Sequence, residues 1–108
     1  MTARNIEPKE LQALLTSGRP CLLLDVRNAK DYAASSRRIP GALKLDAEVI
    51  GTWVAMLPRE REVIVYCQHG QRLSNLVLDA LRVRGFAVRS LAGGMDAWLE
   101  AEGELTAA

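Results

Sequence analysis

Three short apolar runs, Cys21 to Leu24, Val63 to Tyr66 and Phe86 to Val88, each bounded by charged or glycine-containing segments, constrain this chain more than any other feature. Runs of this length without regular polar alternation read as parallel strands buried on both faces. Ala42 to Leu45 is a weaker fourth. Between the second and third runs, Leu73, Leu76, Val77, Ala80 and Leu81 fall at i, i+3, i+4, i+7 and i+8, the stripe of an amphipathic helix, and Gly85 then offers a left-handed cap. A helix over Pro8 to Leu15 opens on an early proline and stops near Gly18, and another covers Ala47 to Leu57, with Asp46 placed to cap its free amides. Asn28 to Ala34 and Met95 to Ala101 are shorter helical segments. Helices alternating with strands predict an α/β fold, a parallel sheet covered on both faces by helices in right-handed crossovers.

The 108 residues suffice for one domain, because a second would need roughly 50 more to close its own core. The expected domain is 1–108, with its core over about 6–99 and a tail that frays over 103–108. With 49% hydrophobic and 25% charged residues, the chain carries enough apolar surface to pack, which excludes disorder and low complexity. A formal charge of +1 argues against work on nucleic acid or anionic lipid. No apolar run approaches the roughly 20 residues of a membrane span, and Met1 to Lys9 is polar, so the expected setting is cytoplasmic, with no membrane partner. Two cysteines, Cys21 and Cys67, are too few for a disulfide framework or a structural zinc site, and the single His69 adds little. No metal and no cofactor are assigned, which leaves thiol chemistry.

In a parallel sheet, ligands bind beyond the carboxyl ends of the strands. The segment leaving the best strand, Cys67-Gln68-His69-Gly70-Gln71-Arg72-Leu73, therefore carries the candidate site. Free amides at the start of the following helix bear partial positive charge, which favours a thiolate and can hold an anion above it. Gly70 permits backbone angles that turn several amides toward one point. Arg72 adds a permanent charge and a planar fork of donors suited to oxyanions. Together these should favour the thiolate of Cys67 over its thiol.

At this point the sequence resembles the rhodanese family. The C-x-x-G-x-R loop spans Cys67 to Arg72; Asp25-Val26-Arg27 is similar to the family's D-V-R, followed by Asp31-Tyr32 where Glu-Tyr is usual. Arg38-Ile39-Pro40-Gly41-Ala42 resembles its H-I-P-G-A element, and Gly85-Phe86 followed by Leu91 to Trp98 resembles its closing G-F and L-x-G-G-x-x-x-W. The resemblance covers about Ile6 to Leu99 and implies a single-domain sulfurtransferase. Cys67 would carry a sulfane sulfur taken from a donor such as thiosulfate to cyanide or a thiol, and Gln68, His69, Gly70, Gln71, Arg72 and Leu73 would bind substrate. The implied partners are a small-molecule donor and acceptor, with a sulfur-carrier protein as a further candidate, and the expected state is a monomer. Three departures stand out: Arg37-Arg38 replaces Gly-His, Asp31 replaces Glu, and Leu73 stands where a serine is common, with Ser74 one residue later.

The loop separates this expectation from related chemistry. In the cell-cycle phosphatases and other cysteine phosphatases, arginine lies six positions after the cysteine; here Leu73 holds that position and Arg72 lies five after Cys67. The shorter cradle favours sulfur transfer over phosphate ester or arsenate chemistry. A noncatalytic interaction module is disfavoured because such domains commonly lose the cysteine. His69 is a candidate proton shuttle, although a mid-loop side chain more often points away from the center. Asp25 and Arg27 read as a structural ion pair tying the corner to Asp31, Trp53 and Trp98 as core, and the Arg59-Arg61 and Arg82-Arg84 pairs as solvated. Cys21 opens its strand while Cys67 follows the end of a parallel one, so no bridge between them is expected.

Overall fold

The computed structural model describes residues 4–34, 37–69 and 72–107. A five-stranded, wholly parallel sheet runs in the order β1 (Asn5–Ile6), β6 (Val88–Leu91), β5 (Glu62–Tyr66), β2 (Cys21–Asp25), β4 (Leu43–Lys44). The helices are α1 (Pro8–Thr16), α2 (Ala29–Ala34), α3 (Ile50–Trp53), α4 (Arg72–Val83) and α5 (Gly94–Glu100). Residues alternate between faces along each strand. Val63, Val65 and the following Cys67 join Leu24, Val26 and the α4 residues Val77, Leu78 and Leu81 in one apolar layer. Ile64 and Tyr66 face the other layer with Leu23, Leu11 and Leu14 of α1, and Met95 and Trp98 of α5. The α/β architecture expected from the hydrophobic pattern is therefore present, with helices on both faces. Among the described residues, no helix is long and apolar enough to cross a membrane.

Three local expectations are corrected. The segment Ala47 to Leu57 is not one helix: α3 is flanked by 3-10 turns at Ala47–Val49 and Val54–Met56. Val49, Ile50, Thr52 and Val54 are β-branched and surround Gly51, a run that resists a regular α-helix. Asp46 caps the first turn as expected, accepting from the Glu48 N–H, and its carbonyl accepts the Trp53 indole N–H at 2.9 Å. The third strand starts at Val88 and not at Phe86, because Gly85 (φ +89) and Phe86 close the end of α4. Their N–H groups donate to the carbonyls of Arg82 and Leu81 at 3.0 and 3.1 Å. Of the nearby arginines, Arg59, Arg61 and Arg84 are exposed as expected, with Arg59 lying 5.0 Å from the Phe86 ring centroid, whereas Arg82 is half-buried and its Nη2 donates to the Val88 carbonyl at 3.2 Å.

The third correction concerns the tail. Where fraying from Gly103 was the expectation, the chain turns back over Trp98 and Thr106–Ala107 forms β7, antiparallel to β3 (Arg37–Arg38). The Trp98 indole donates to the Glu104 carbonyl at 2.9 Å, satisfying the one polar atom of a ring that is 1% exposed. A Cβ on Gly103 would come within 2.1 Å of that ring. Glycine is thus required at 103, and the left-handed position that ends α5 falls one residue earlier, on Glu102 at φ 56. We expect Glu102→Gly to raise the unfolding free energy by about 1 kcal/mol by relieving that strain. Gly103→Ala should lower it by roughly 2 kcal/mol, since the buried indole must move. Urea midpoints measure both, and unchanged midpoints would show that the tail does not dock.

Candidate active site

Parallel pairing places Asp25 of β2 beside Tyr66 of β5, so the residues that follow both strands emerge on one rim of the sheet. Cys67 leaves β5 there, buried to 6% exposure, and α4 begins five residues later at Arg72. A cleft of about 220 Å³ opens over it, lined by Asn28, Asp31, Cys67, Gln68, His69, Arg72 and Leu73. Five of the loop residues singled out from the sequence thus meet Asp31 in one place. Gly70 and Gln71, expected to shape the loop and bind substrate, lie outside the described residues. Arg72 is exposed at the rim. A larger cavity of about 630 Å³ lies against Gln12, Trp98 and Glu102 and contains neither cysteine, so it offers no thiol.

Two further side chains belong to the site. Ser74, one residue later than the family pattern, is fully buried in the first turn of α4, with its Oγ 3.5 Å from Cys67 Sγ. The late serine therefore still meets the thiol. Asp96 is the second. Gly93 and Gly94 adopt φ +73 and +61, a pair of left-handed residues that only glycine takes readily, and they swing the chain from β6 into α5. The Met95 and Asp96 amides, free at the start of that helix, donate to the carbonyls of Cys67 and Gln68 at 2.9 and 3.0 Å. The Asp96 carboxylate takes the Gln68 amide at 2.8 Å on Oδ1 and His69 Nδ1 at 2.5 Å on Oδ2. Gln68 first, and then His69, hold the Asp96 carboxyl below its ordinary range. These bonds are fully present above the usual carboxyl pKa and are lost as pH falls through the lowered one. Sequence reading passed over Asp96 because its partners lie 27 and 28 residues away.

Beneath the cleft, Asp25 and Arg27 form a wholly buried pair at 2.7 Å. Asp25 also accepts from the Arg27 N–H at 3.0 Å and from the Tyr66 hydroxyl at 3.1 Å, and Arg27 donates onward to the Arg37 carbonyl at 2.8 Å. Burial, and then the neighbouring Asp25 carboxylate, push the Tyr66 hydroxyl upward, so it remains a proton donor. The tie that sequence reading drew from this pair to Asp31 is absent among the described ion pairs. Asp31 sits in the first turn of α2, its N–H donating to Asn28 Oδ1 at 2.7 Å, and it lines the cleft. Removing Arg27 would strand a buried charge, and we expect Arg27→Met to cost about 3 kcal/mol by urea denaturation, or more. A loss under 1 kcal/mol would mean that water reaches Asp25.

The cysteines lie at opposite ends of the sheet and in opposite layers. Cys21 pairs in register with Glu62, whereas Cys67 follows Tyr66, a separation of roughly 13 Å along the strands. A disulfide needs alpha carbons within about 7 Å, and both cysteines are free. Burial, and then the charge of Glu62, push the Cys21 thiol up. Cys21 is half-buried, and so more open to solvent than the buried Cys67, but its raised pKa keeps it as the unreactive thiol. Timed alkylation near pH 7 should therefore modify Cys67 first and Cys21 more slowly. Comparable labelling of both would contradict this assignment.

Comparison with known proteins follows the same lines. Residues 7–101 match the rhodanese-like domain family. The chain is 35% identical over 96 residues to the probable adenylyltransferase/sulfurtransferase MoeZ of Mycobacterium tuberculosis, a match that spans 86% of this chain but only 24% of that protein. It is 32% identical over 96 residues to the thiosulfate sulfurtransferase GlpE of Pseudomonas savastanoi, covering 88% of this chain and 86% of the relative. A crystal structure of a full-length Lactobacillus plantarum protein superposes with a TM-score of 0.86 at 24% identity, covering 97% of this chain and 88% of the other, and so shares its fold. With the parallel sheet, the cysteine loop and a family match over nearly all its length, this chain belongs to the rhodanese-like domain family.

Proposed function

We propose that this chain is a sulfurtransferase that moves a sulfane sulfur from a donor such as thiosulfate to cyanide or a thiol, through a persulfide on Cys67. The observation that carries this reading is the position of Cys67, at the floor of a small cleft at the carboxyl end of β5 with Arg72 at its rim. The Cys67 thiolate attacks the outer sulfur of thiosulfate; the S–S bond breaks, and sulfite leaves with the electron pair. An acceptor then attacks the outer sulfur of the persulfide, and the thiolate returns. Covalent catalysis of this kind gives ping-pong kinetics. The Ser74 hydroxyl beside Sγ supports the charged states of the sulfur, and Arg72 binds the oxyanion of the donor. Both substrates are small molecules, in keeping with the size of the cleft. The names of two relatives, one a thiosulfate sulfurtransferase and one a probable adenylyltransferase/sulfurtransferase, support the reaction class. Arginine at the fifth and not the sixth position after the cysteine weighs against phosphate ester and arsenate chemistry.

Steady-state kinetics test the reading. Cys67→Ser should abolish thiosulfate:cyanide transfer, and full activity in that variant would overturn it. Arg72→Lys keeps a charge but loses the planar fork, so kcat/KM for thiosulfate should fall about tenfold, more than for an uncharged persulfide donor. Equal losses with the two donors would show that Arg72 shapes the loop instead of reading the oxyanion.

A further inference from the structure

We propose that His69, held through Nδ1 by Asp96, is the general base that takes the proton from a thiol acceptor, so that the site is built to discharge its sulfur to thiols that are protonated at neutral pH. The inference deepens the persulfide reading above and rests on it. His69 lies two residues after Cys67 and lines the same cleft, and it is the one histidine of the chain. Its Nδ1 is 2.5 Å from Asp96 Oδ2, and the carboxylate is fixed independently by the Gln68 amide at 2.8 Å. The Asp96 main chain is fixed as well, through its N–H on the Gln68 carbonyl at 3.0 Å. An ionised carboxylate only accepts, so Nδ1 carries the hydrogen and the lone pair of the neutral ring resides on Nε2. A carboxylate that orients an imidazole at the mouth of a cleft holding a nucleophile is an arrangement by which enzymes position a base. The imidazole side chain is 72% exposed, which keeps it within reach of an incoming acceptor. The charged groups around it are Asp96 from α5, Arg72 from α4 and Asp31 from α2.

The chemistry needs such a group in the second half of the cycle and not in the first. Thiosulfate arrives ionised, whereas an alkyl thiol, with a pKa near 8.5, is mostly protonated at pH 7 and must lose its proton before it attacks. Nε2 takes that proton. The resulting thiolate forms a bond to the outer sulfur of the Cys67 persulfide, the S–S bond breaks, and its electron pair returns to Sγ. The product is the acceptor persulfide, and the imidazolium gives its proton to solvent. No oxidant or reductant enters.

The test is single-turnover discharge of protein preloaded with sulfur from thiosulfate. Two acceptors are compared at pH 7: glutathione, which is protonated, and thionitrobenzoate, an aromatic thiol already ionised. The ratio of glutathione to thionitrobenzoate rates should fall about tenfold in His69→Gln and by a smaller factor in Asp96→Asn, which keeps the size of the side chain but loses the charge and one of the two acceptor oxygens that hold Gln68 and His69. The His69→Gln deficit should vanish above about pH 9, where the alkyl thiol ionises by itself. A ratio that does not move in His69→Gln, or a deficit that persists at high pH, overturns the base. A wild-type protein that takes up no sulfur from thiosulfate overturns the persulfide reading, and this inference with it.

Discussion

Two backbone hydrogen bonds, from the Met95 and Asp96 amides to the Cys67 and Gln68 carbonyls, join the start of α5 to the loop that leaves β5. Each end would otherwise carry unpaired polar groups, the helix its first N–H groups and the loop its carbonyls. Pairing them fixes where Cys67 sits relative to the sheet. The Gly93-Gly94 turn serves the same contact: two consecutive left-handed residues turn the chain from β6 into α5, whose first amides meet the loop. The side chain of Asp96 then repeats the connection by holding Gln68 and His69. The cysteine loop is thus supported from the next strand-helix unit along the chain.

A second support comes from below. The buried Asp25–Arg27 pair satisfies itself through the Tyr66 hydroxyl and the Arg37 carbonyl, tying the ends of β2 and β5 to β3. A buried ion pair adds little net stability over apolar packing, but it tolerates no missing partner. Its value here is positional, because it locks the rim on which Cys67 and α2 stand. Arg27 also lies 4.9 Å from the Tyr32 ring centroid, which ties α2 and its cleft-lining Asp31 to the same corner.

The sheet and the nucleophile were legible in the sequence because their signals are local. Three apolar runs marked β2, β5 and, two residues early, β6; the stripe from Leu73 to Leu81 marked α4; and Cys67 stood at a strand end before a glycine and an arginine. What was missed depends on distant partners. Asn5–Ile6, Arg37–Arg38 and Thr106–Ala107 are two-residue strands, too short for any periodicity, and they exist because another strand lies alongside. The tail was expected to fray because nothing in its residues names Trp98 as its anchor. The Asp25–Arg27 pair was legible because its members stand two residues apart, whereas the tie from it to Asp31 is absent among the described ion pairs. Ser74 was visible as a displaced serine, but its contact with the thiol was not, and Asp96 carried no signal of its own, since what matters is how a helix start folds back onto the strand end.

The supports converge on one claim, that Cys67 alone among the thiols is placed to carry sulfur. Peptide mapping by mass spectrometry after incubation with thiosulfate tests it most directly. The account predicts a gain of one sulfur atom on the peptide containing Cys67, removed by cyanide, with the Cys21 peptide unchanged. Sulfur on the Cys21 peptide, or none on either, would contradict it.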